Sequence, residues 1–251
     1  MAVEIIGHRG AAYDAPENTL RSFQLGFQQG ADGIELDVHL TKDNRLVAIH
    51  DPDLIRVAGA THRVAECTFN ELRQFNAANW GRWEGKGFTE RIPALEEVLA
   101  LIPEGKRLVI EIKCGREALP SLGRVLRASH IKPQQTVLIG FGYETMRQAK
   151  SALPNSPVLW LAARDEQTNE YPTLAELICA AKAAHLDGLD LEAGFPIDKA
   201  FVGHTHRAGL ILYTWTVDDP RLARTLAAAG VDAITTNRPG WLRDQLRRIP
   251  R

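Results

Sequence analysis

The stretch GIELDV at residues 33–38 decides how this chain is read. Side chains on a strand alternate faces, so Ile34, Leu36 and Val38 point one way, and Gly33, Glu35 and Asp37 the other. RLVIEIK at 107–113 repeats the arrangement, with Leu108, Ile110 and Ile112 on one side and Val109, Glu111 and Lys113 on the opposite one. A strand covered on both faces in a parallel sheet should be apolar almost throughout. Here one face of each strand turns charged toward its C-terminal end, where parallel α/β barrels carry their chemistry. Both stretches therefore read as barrel strands whose ends contribute to one site.

Six further strand-like runs share the chain with this pair: 3–7 (VEIIG), 136–141 (TVLIGF), 157–162 (PVLWLA), 187–192 (DGLDLE), 210–217 (LILYTWTV) and 232–236 (DAITT). Amphipathic periods between them predict helices at 19–29, 94–101, 117–129, 143–152, 173–185, 198–208, 219–229 and 239–248. Eight strands, each followed by a helix, predict an α/β chain closed as a TIM-type (β/α)8 barrel. An open doubly wound sheet is the competing solution, but no Gly-rich dinucleotide turn follows any strand. Thr19 can cap the first helix, with Pro16 just upstream. Asp219-Pro220 opens the seventh and Gly230 closes it.

One region departs from the alternation. Residues 41–50 (TKDNRLVAIH) read as a turn and an added strand, a hairpin with 33–38. Residues 51–92 carry a proline, several glycines, two tryptophans and a short helix at 68–75, too long for a plain βα loop. They are expected as a small inserted subdomain over the barrel mouth, within a single domain spanning 1–251.

Composition narrows the function classes. With 30 Lys+Arg against 31 Asp+Glu the net charge is −1, and no basic run is long enough to track a nucleic-acid backbone. Arg243, Arg247, Arg248 and Arg251 make the last helix mildly basic, which reads as a solvated face. No apolar run approaches a membrane span. Met1 to Ile6 run directly into Gly7 and His8 without the pattern of a removable signal peptide. Cys67, Cys114 and Cys179 are widely spaced and form no CxxC, which fits a reducing cytoplasm better than a disulfide framework or a zinc site. Cys114 is expected as a small buried apolar residue.

The chemistry-bearing residues gather at the predicted strand ends. Glu35, Asp37 and Glu111 are three carboxylates with no thiolate and no HxH or HExxH spacing, which suits Mg²⁺ or Ca²⁺ rather than zinc. Without a cation they would repel one another and raise each other's pKa values. Arg9 and Lys113 add positive charge suited to a phosphate. His8 ends the first strand and His50 the added one. Two imidazoles supply the base and the acid that phosphodiester hydrolysis needs, without indicating which does which. The other histidines read as structural, with His39 placed beyond its strand in the turn. Trp215 is expected as a wall of the substrate pocket.

These residues lie in a recurring order: HRG (8–10), PENT (16–19), ELDVHLTKDNRLVAIHD (35–51), EIK (111–113), TWTV (214–217) and TNRP (236–239). The series resembles the glycerophosphodiester phosphodiesterase family over nearly the whole chain. The resemblance implies a TIM-type barrel with a small inserted subdomain. It further implies hydrolysis of glycerophosphodiesters, small molecules such as glycerophosphocholine or glycerophosphoethanolamine, to glycerol 3-phosphate and an alcohol. By position, Glu35, Asp37 and Glu111 match the family's metal ligands, His8 and His50 its acid–base pair, and Arg9 and Lys113 its phosphate-binding residues. Two positions depart from it. Gly140-Phe141 replaces a common Ser-Phe pair, and Asn237 stands where some members have Asp. Both are expected to bear on alcohol preference, away from the metal and the histidines. Competing readings are a lysophospholipase D-like enzyme, a barrel that binds glycerophosphodiesters without cleaving them, and, from the carboxylates alone, a metal-dependent sugar isomerase.

Overall fold

The computed structural model describes residues 3–247. Its strands are β1 (Glu4–Gly7), β2 (Gly33–Leu40), β3 (Leu46–Ala48), β4 (Arg107–Ile112), β5 (Thr136–Gly140), β6 (Val158–Ala162), β7 (Gly188–Glu192), β8 (Ile211–Trp215) and β9 (Ala233–Thr236). All but β3 pair in parallel in the order β1-β9-β8-β7-β6-β5-β4-β2, and β1 pairs with β2 to close the ring. The helices are α1 (Leu20–Gln28), α2 (Ile55–Ala58), α3 (Phe69–Leu72), α4 (Leu95–Leu99), α5 (Leu119–Ala128), α6 (Tyr143–Ala152), α7 (Leu174–Ala183), α8 (Lys199–Arg207), α9 (Pro220–Ala229) and α10 (Pro239–Arg247). The fold is the predicted (β/α)8 barrel.

Strand parity sorts the core into two layers. Ile34, Leu36, Val38, Leu108, Ile110 and Ile112 face the helices, packed with residues such as Phe23, Leu95 and Leu122. The other parity fills the barrel interior with Ile6, Val109, Val137, Ile139, Leu159, Leu161, Tyr213 and Ala233. This inner layer plugs the barrel, leaving only its C-terminal end for a cavity. The helix ends carry the expected signals. Thr19 accepts from the Ser22 N–H, Asp219 accepts from Arg221 and Leu222, and Gly230 ends α9 at φ +96°.

The short strand β3 pairs antiparallel with β2, Val38 opposite Ala48 and Leu40 opposite Leu46, as the hairpin reading predicted. Residues 51–92 then build an apolar cluster of their own, with Leu54, Val57, Val64, Phe69, Leu72 and Ile92 packed on Val47 and Ile49. These side chains turn inward on one another and away from the barrel cavity. None of the residues lining the cavity at the barrel mouth comes from 51–92. The segment is tied instead to the loop after β1: Arg82 donates to the Ala12 carbonyl and lies over the Tyr13 ring, which Arg238 covers as well.

Three smaller expectations are adjusted. His39 lies within β2, not in the turn. Cys114 is half-buried, and burial pushes its thiol up to about 11. Arg243, expected on a solvated face, pairs with Asp32 beneath the barrel; Arg248 and Arg251 lie outside the described residues, as do Met1 and Ala2.

Candidate active site

A cavity of about 150 Å³ opens at the C-terminal end of the barrel. His8, Arg9, Glu35, His50, Glu111 and Lys113 line it together with Phe141, Trp215, Asp190 and Thr235. Asp37 lies behind this surface, fully buried.

Register brings the carboxylates together. Asp37 on β2 is the direct partner of Glu111 on β4, and Glu35 stands two residues before Asp37 on the same face. One oxygen from each of Glu35, Asp37 and Glu111 lies within 4.8 Å of the others. Burial pushes the Glu35 carboxyl well above the usual carboxylate range, and the Asp37 charge adds to it. Burial and Asp37 likewise raise Glu111 to about 7. Asp37 itself stays low despite its burial, because Arg9, His50 and the Asn18 amide hold its charged form. Its Oδ1 nevertheless has no hydrogen-bond partner among the described residues. An all-oxygen donor set, mutually repelling and with an unpaired buried oxygen, fits a hard divalent cation.

The loops after β1 and β3 hold this cluster. In HRG, Arg9 takes φ +50° and Gly10 φ +88°, and a side chain at Gly10 would meet Ser22 at 2.4 Å. That turn aims the Arg9 N–H at Glu35 Oε2, 2.9 Å away. It also sets the Arg9 guanidinium beside Asp37, with Nε 3.0 Å from Oδ2 in a charge contact lacking hydrogen-bond alignment. The PENT segment is a clamp as well as a cap. Glu17 accepts from Arg9 Nη1 at 3.0 Å, and Asn18, at φ +54°, donates to Asp37 Oδ2 at 2.8 Å.

The two histidines are held differently. The Asn237 amide nitrogen donates to Asp218 Oδ2 at 2.7 Å, so its oxygen faces His8 and accepts the Nδ1–H at 2.8 Å. His8 Nε2 therefore carries the lone pair. Burial and the neighbouring Arg9 charge lower the His8 pKa to about 4. This contact corrects the expectation that Asn237 stands apart from the histidines. The path of the loop after β9, not visible in the strand pattern, brings it under His8. His50 Nδ1 pairs with Asp51 Oδ1 at 2.6 Å, and His50 Nε2 accepts from Lys113 Nζ at 3.1 Å. Lys113 also donates to Glu111 Oε1 at 3.0 Å. His39, from within its strand, donates Nε2–H to the His50 carbonyl at 3.0 Å.

Arg56 of α2 was not singled out by its sequence, yet it joins the two halves of the site. It donates to Asp51 Oδ2 at 2.6 Å and to Glu17 Oε1 at 2.7 Å. A continuous chain thus runs from Arg9 through Glu17, Arg56 and Asp51 to His50. Arg56→Ala is expected to lower kcat/KM about tenfold, since each charged hydrogen bond is worth roughly 1.5–3 kcal/mol and His50 loses the group that fixes its partner. Steady-state rates across pH check this, with partial recovery in Arg56→Lys; an unchanged pH–rate profile in Arg56→Ala would show that the chain does not position His50.

Trp215 lines the cavity. Trp215 and Phe141 meet edge to face at 5.7 Å, and Phe141 is exposed at the rim.

Comparison with known proteins adds an independent line. The sequence profile of the Glycerophosphoryl diester phosphodiesterase family matches residues 8–241. The chain is 32% identical over 255 residues to the glycerophosphodiester phosphodiesterase of Caldanaerobacter subterraneus subsp. tengcongensis, covering 99% of both chains. It is 30% identical over 241 residues to that of Bacillus altitudinis, covering 94% of this chain and 95% of the other. Among solved structures, an Oleispira antarctica phosphodiesterase in complex with the product sn-glycerol-3-phosphate superposes with a TM-score of 0.85 at 26% identity, covering 98% of each chain. A glycerophosphodiester phosphodiesterase from Parabacteroides distasonis superposes at 0.78 with 27% identity, covering 98% of this chain and 97% of the other.

Proposed function

Given that the chain belongs to the glycerophosphoryl diester phosphodiesterase family, and is therefore a phosphoric diester hydrolase, we propose that it cleaves small glycerophosphodiesters such as glycerophosphocholine or glycerophosphoethanolamine to glycerol 3-phosphate and an alcohol. The observation that carries this reading is the convergence of three buried carboxylates, a guanidinium, an ammonium and two imidazoles around one cavity. Product-bound sn-glycerol-3-phosphate in the Oleispira antarctica relative supports a glycerol phosphate in the same place.

Glu35, Asp37 and Glu111 are the groups that hold the cation. Mg²⁺ or Ca²⁺ held there would supply charge neutralisation and Lewis-acid polarisation at the phosphate. Arg9 and Lys113 flank the same point and orient the phosphate, which fixes the line of attack. His8, neutral at pH 7 with its Nε2 lone pair free, takes the proton of the attacking hydroxyl. His50, hydrogen-bonded to Asp51 through Nδ1, donates from Nε2 to the leaving alcohol. Lys113 Nζ bonds that nitrogen at 3.1 Å, and an incoming phosphate draws the ammonium to itself. Phe141 and Trp215 flank the alcohol.

Residues 1–251 form one catalytic domain in this reading, with 51–92 an insertion whose contributions to catalysis are Asp51 and Arg56. Among the described residues no helix is long and apolar enough to cross a membrane. The three free cysteines favour a reducing cytoplasm.

The test is release of glycerol 3-phosphate from glycerophosphocholine, with chelator and then with Mg²⁺ or Ca²⁺ restored. Activity is expected to vanish and return. Turnover unaffected by chelation would remove the cation from the reaction, and faster cleavage of lysophosphatidylcholine would make the enzyme lysophospholipase D-like. A pH dependence follows. Because Glu35 and Glu111 must be deprotonated to bind a cation and burial raises both, Glu111 to about 7, cation affinity should climb as pH rises through about 7. Calorimetric Mg²⁺ titrations at pH 5.5 and 7.5 read this directly, as weaker binding with greater proton release at the lower pH.

A further inference from the structure

The reaction described above leaves one buried carboxyl of the cavity without a task. Asp190 sits mid-strand in β7, between Leu161 of β6 and Tyr213 of β8 in register. It is only 1% exposed and yet lines the cavity. Its Oδ1 has no hydrogen-bond partner among the described residues. In the closed ring β7 stands four strands from β2 in either direction, so Asp190 projects from the wall facing Glu35 and Asp37. It does not belong to the cation cluster, which takes in Glu35, Asp37 and Glu111. Thr235 of β9 shares its character: 2% exposed, on the cavity lining, and with an unpaired Oγ1.

Buried polar groups in folded proteins are almost always paired, and two orphans on one cavity call for a ligand that completes them. Both are groups that bond a hydroxyl. A carboxyl accepts when ionised and donates when protonated, and a threonine hydroxyl does either. They lie deep in the cavity, whereas Phe141 at the rim is 47% exposed. The half of the substrate common to all glycerophosphodiesters is best read at the buried end. The half that varies is best left to the open one.

We propose that Asp190 and Thr235 form the subsite that reads the terminal hydroxyl of the substrate's glycerol moiety, with the alcohol half directed past Phe141 and Trp215 to solvent. The inference rests on the phosphodiesterase reading given above. Asp190 acts here as a specificity residue. It moves no proton in the reaction and holds no cation.

The experiment compares kcat/KM for glycerophosphocholine and for its analogue lacking the terminal glycerol hydroxyl, in the wild type and in Asp190→Leu, Asp190→Asn and Thr235→Val. The wild type is expected to prefer the hydroxylated substrate by about 10²-fold, because an unfilled buried polar site rejects the shorter analogue. Asp190→Leu should lose roughly that factor on glycerophosphocholine and little on the analogue, so that the preference collapses toward one. Asp190→Asn should keep most of it. If Asp190→Leu does not fold, Thr235→Val carries the same comparison, with the preference reduced about tenfold. Equal losses on both substrates, or a shifted Mg²⁺ half-saturation in Asp190→Asn, would overturn the assignment. So would a wild type that cleaves both substrates alike. A wild type that cleaves neither would instead sink the phosphodiesterase reading itself.

Discussion

His8→Ala is expected to lower kcat by roughly 10²- to 10⁴-fold while leaving KM and the thermal midpoint close to wild type. The imidazole is held for a single task. Asn237 takes its Nδ1–H, so the unprotonated Nε2 is the nitrogen left to work. Burial and Arg9 together lower its pKa from 6.5 to about 4, so at neutral pH the base is present in full. The pH–rate profile at saturating Mg²⁺ should show it: kcat/KM stays level as pH falls from 7 to 5, where an unperturbed histidine would already be losing activity. Asn237→Asp would place a carboxylate at Nδ1 and move this acidic limb to higher pH. The same shift has a cost in stability with a defined sign. Between about pH 4 and 6.5 the unfolded chain binds a proton that the folded His8 refuses, so folding stability declines as pH falls through that window, and His8 contributes nothing above it. Near-normal turnover in His8→Ala would remove this residue from the mechanism.

The barrel and the carboxylate cluster were both legible because both follow a period. Alternation in GIELDV and RLVIEIK separates the helix-facing layer from the interior, and a charged side chain on the interior parity has nowhere to go but the cavity. The same argument applied to GLDLE at 188–192 would have singled out Asp190, whose neighbours Leu189 and Leu191 take the helix-facing parity. What periodicity cannot carry is the path of a loop. Glu17, Asn18, Asp51, Arg56 and Asn237 all reach the site from segments without regular structure or from the single short turn of α2. Their placement depends on left-handed backbone at Arg9, Gly10 and Asn18 and on the Arg56–Glu17 bond that ties 51–92 to the loop after β1. The resemblance to PENT and HD motifs marked that these loops matter without revealing that they clamp Asp37 and join Arg9 to His50.

Asp37→Asn is expected to be the most damaging conservative change in the molecule, lowering kcat/KM by about 10³-fold or more. A cation's Lewis-acid contribution is several kcal/mol, and each tenfold in rate corresponds to about 1.4 kcal/mol. The substitution also reaches beyond the cation. Asp37 is the shared counter-charge of Arg9, at 3.0 Å, and of Lys113, at 3.9 Å, and the acceptor for Asn18 at 2.8 Å. An amide in its place keeps the shape and removes the charge, so the guanidinium and ammonium that orient the phosphate lose their common anchor. At the same time the repulsion that helps raise Glu35 and Glu111 disappears, and both should titrate nearer to ordinary carboxylates. Two readouts separate these effects from simple misfolding. The wild type should gain thermal stability as Mg²⁺ is added, by RT ln(1 + [L]/Kd), and the variant should gain much less at the same concentrations. Proton release on cation binding near pH 6 should fall as well, since the remaining carboxylates lose the Asp37 repulsion that helps keep them protonated. A variant whose folded state responds to Mg²⁺ as the wild type does would mean that the three carboxylates serve to hold Arg9 and Lys113 in place, with the cation bound elsewhere.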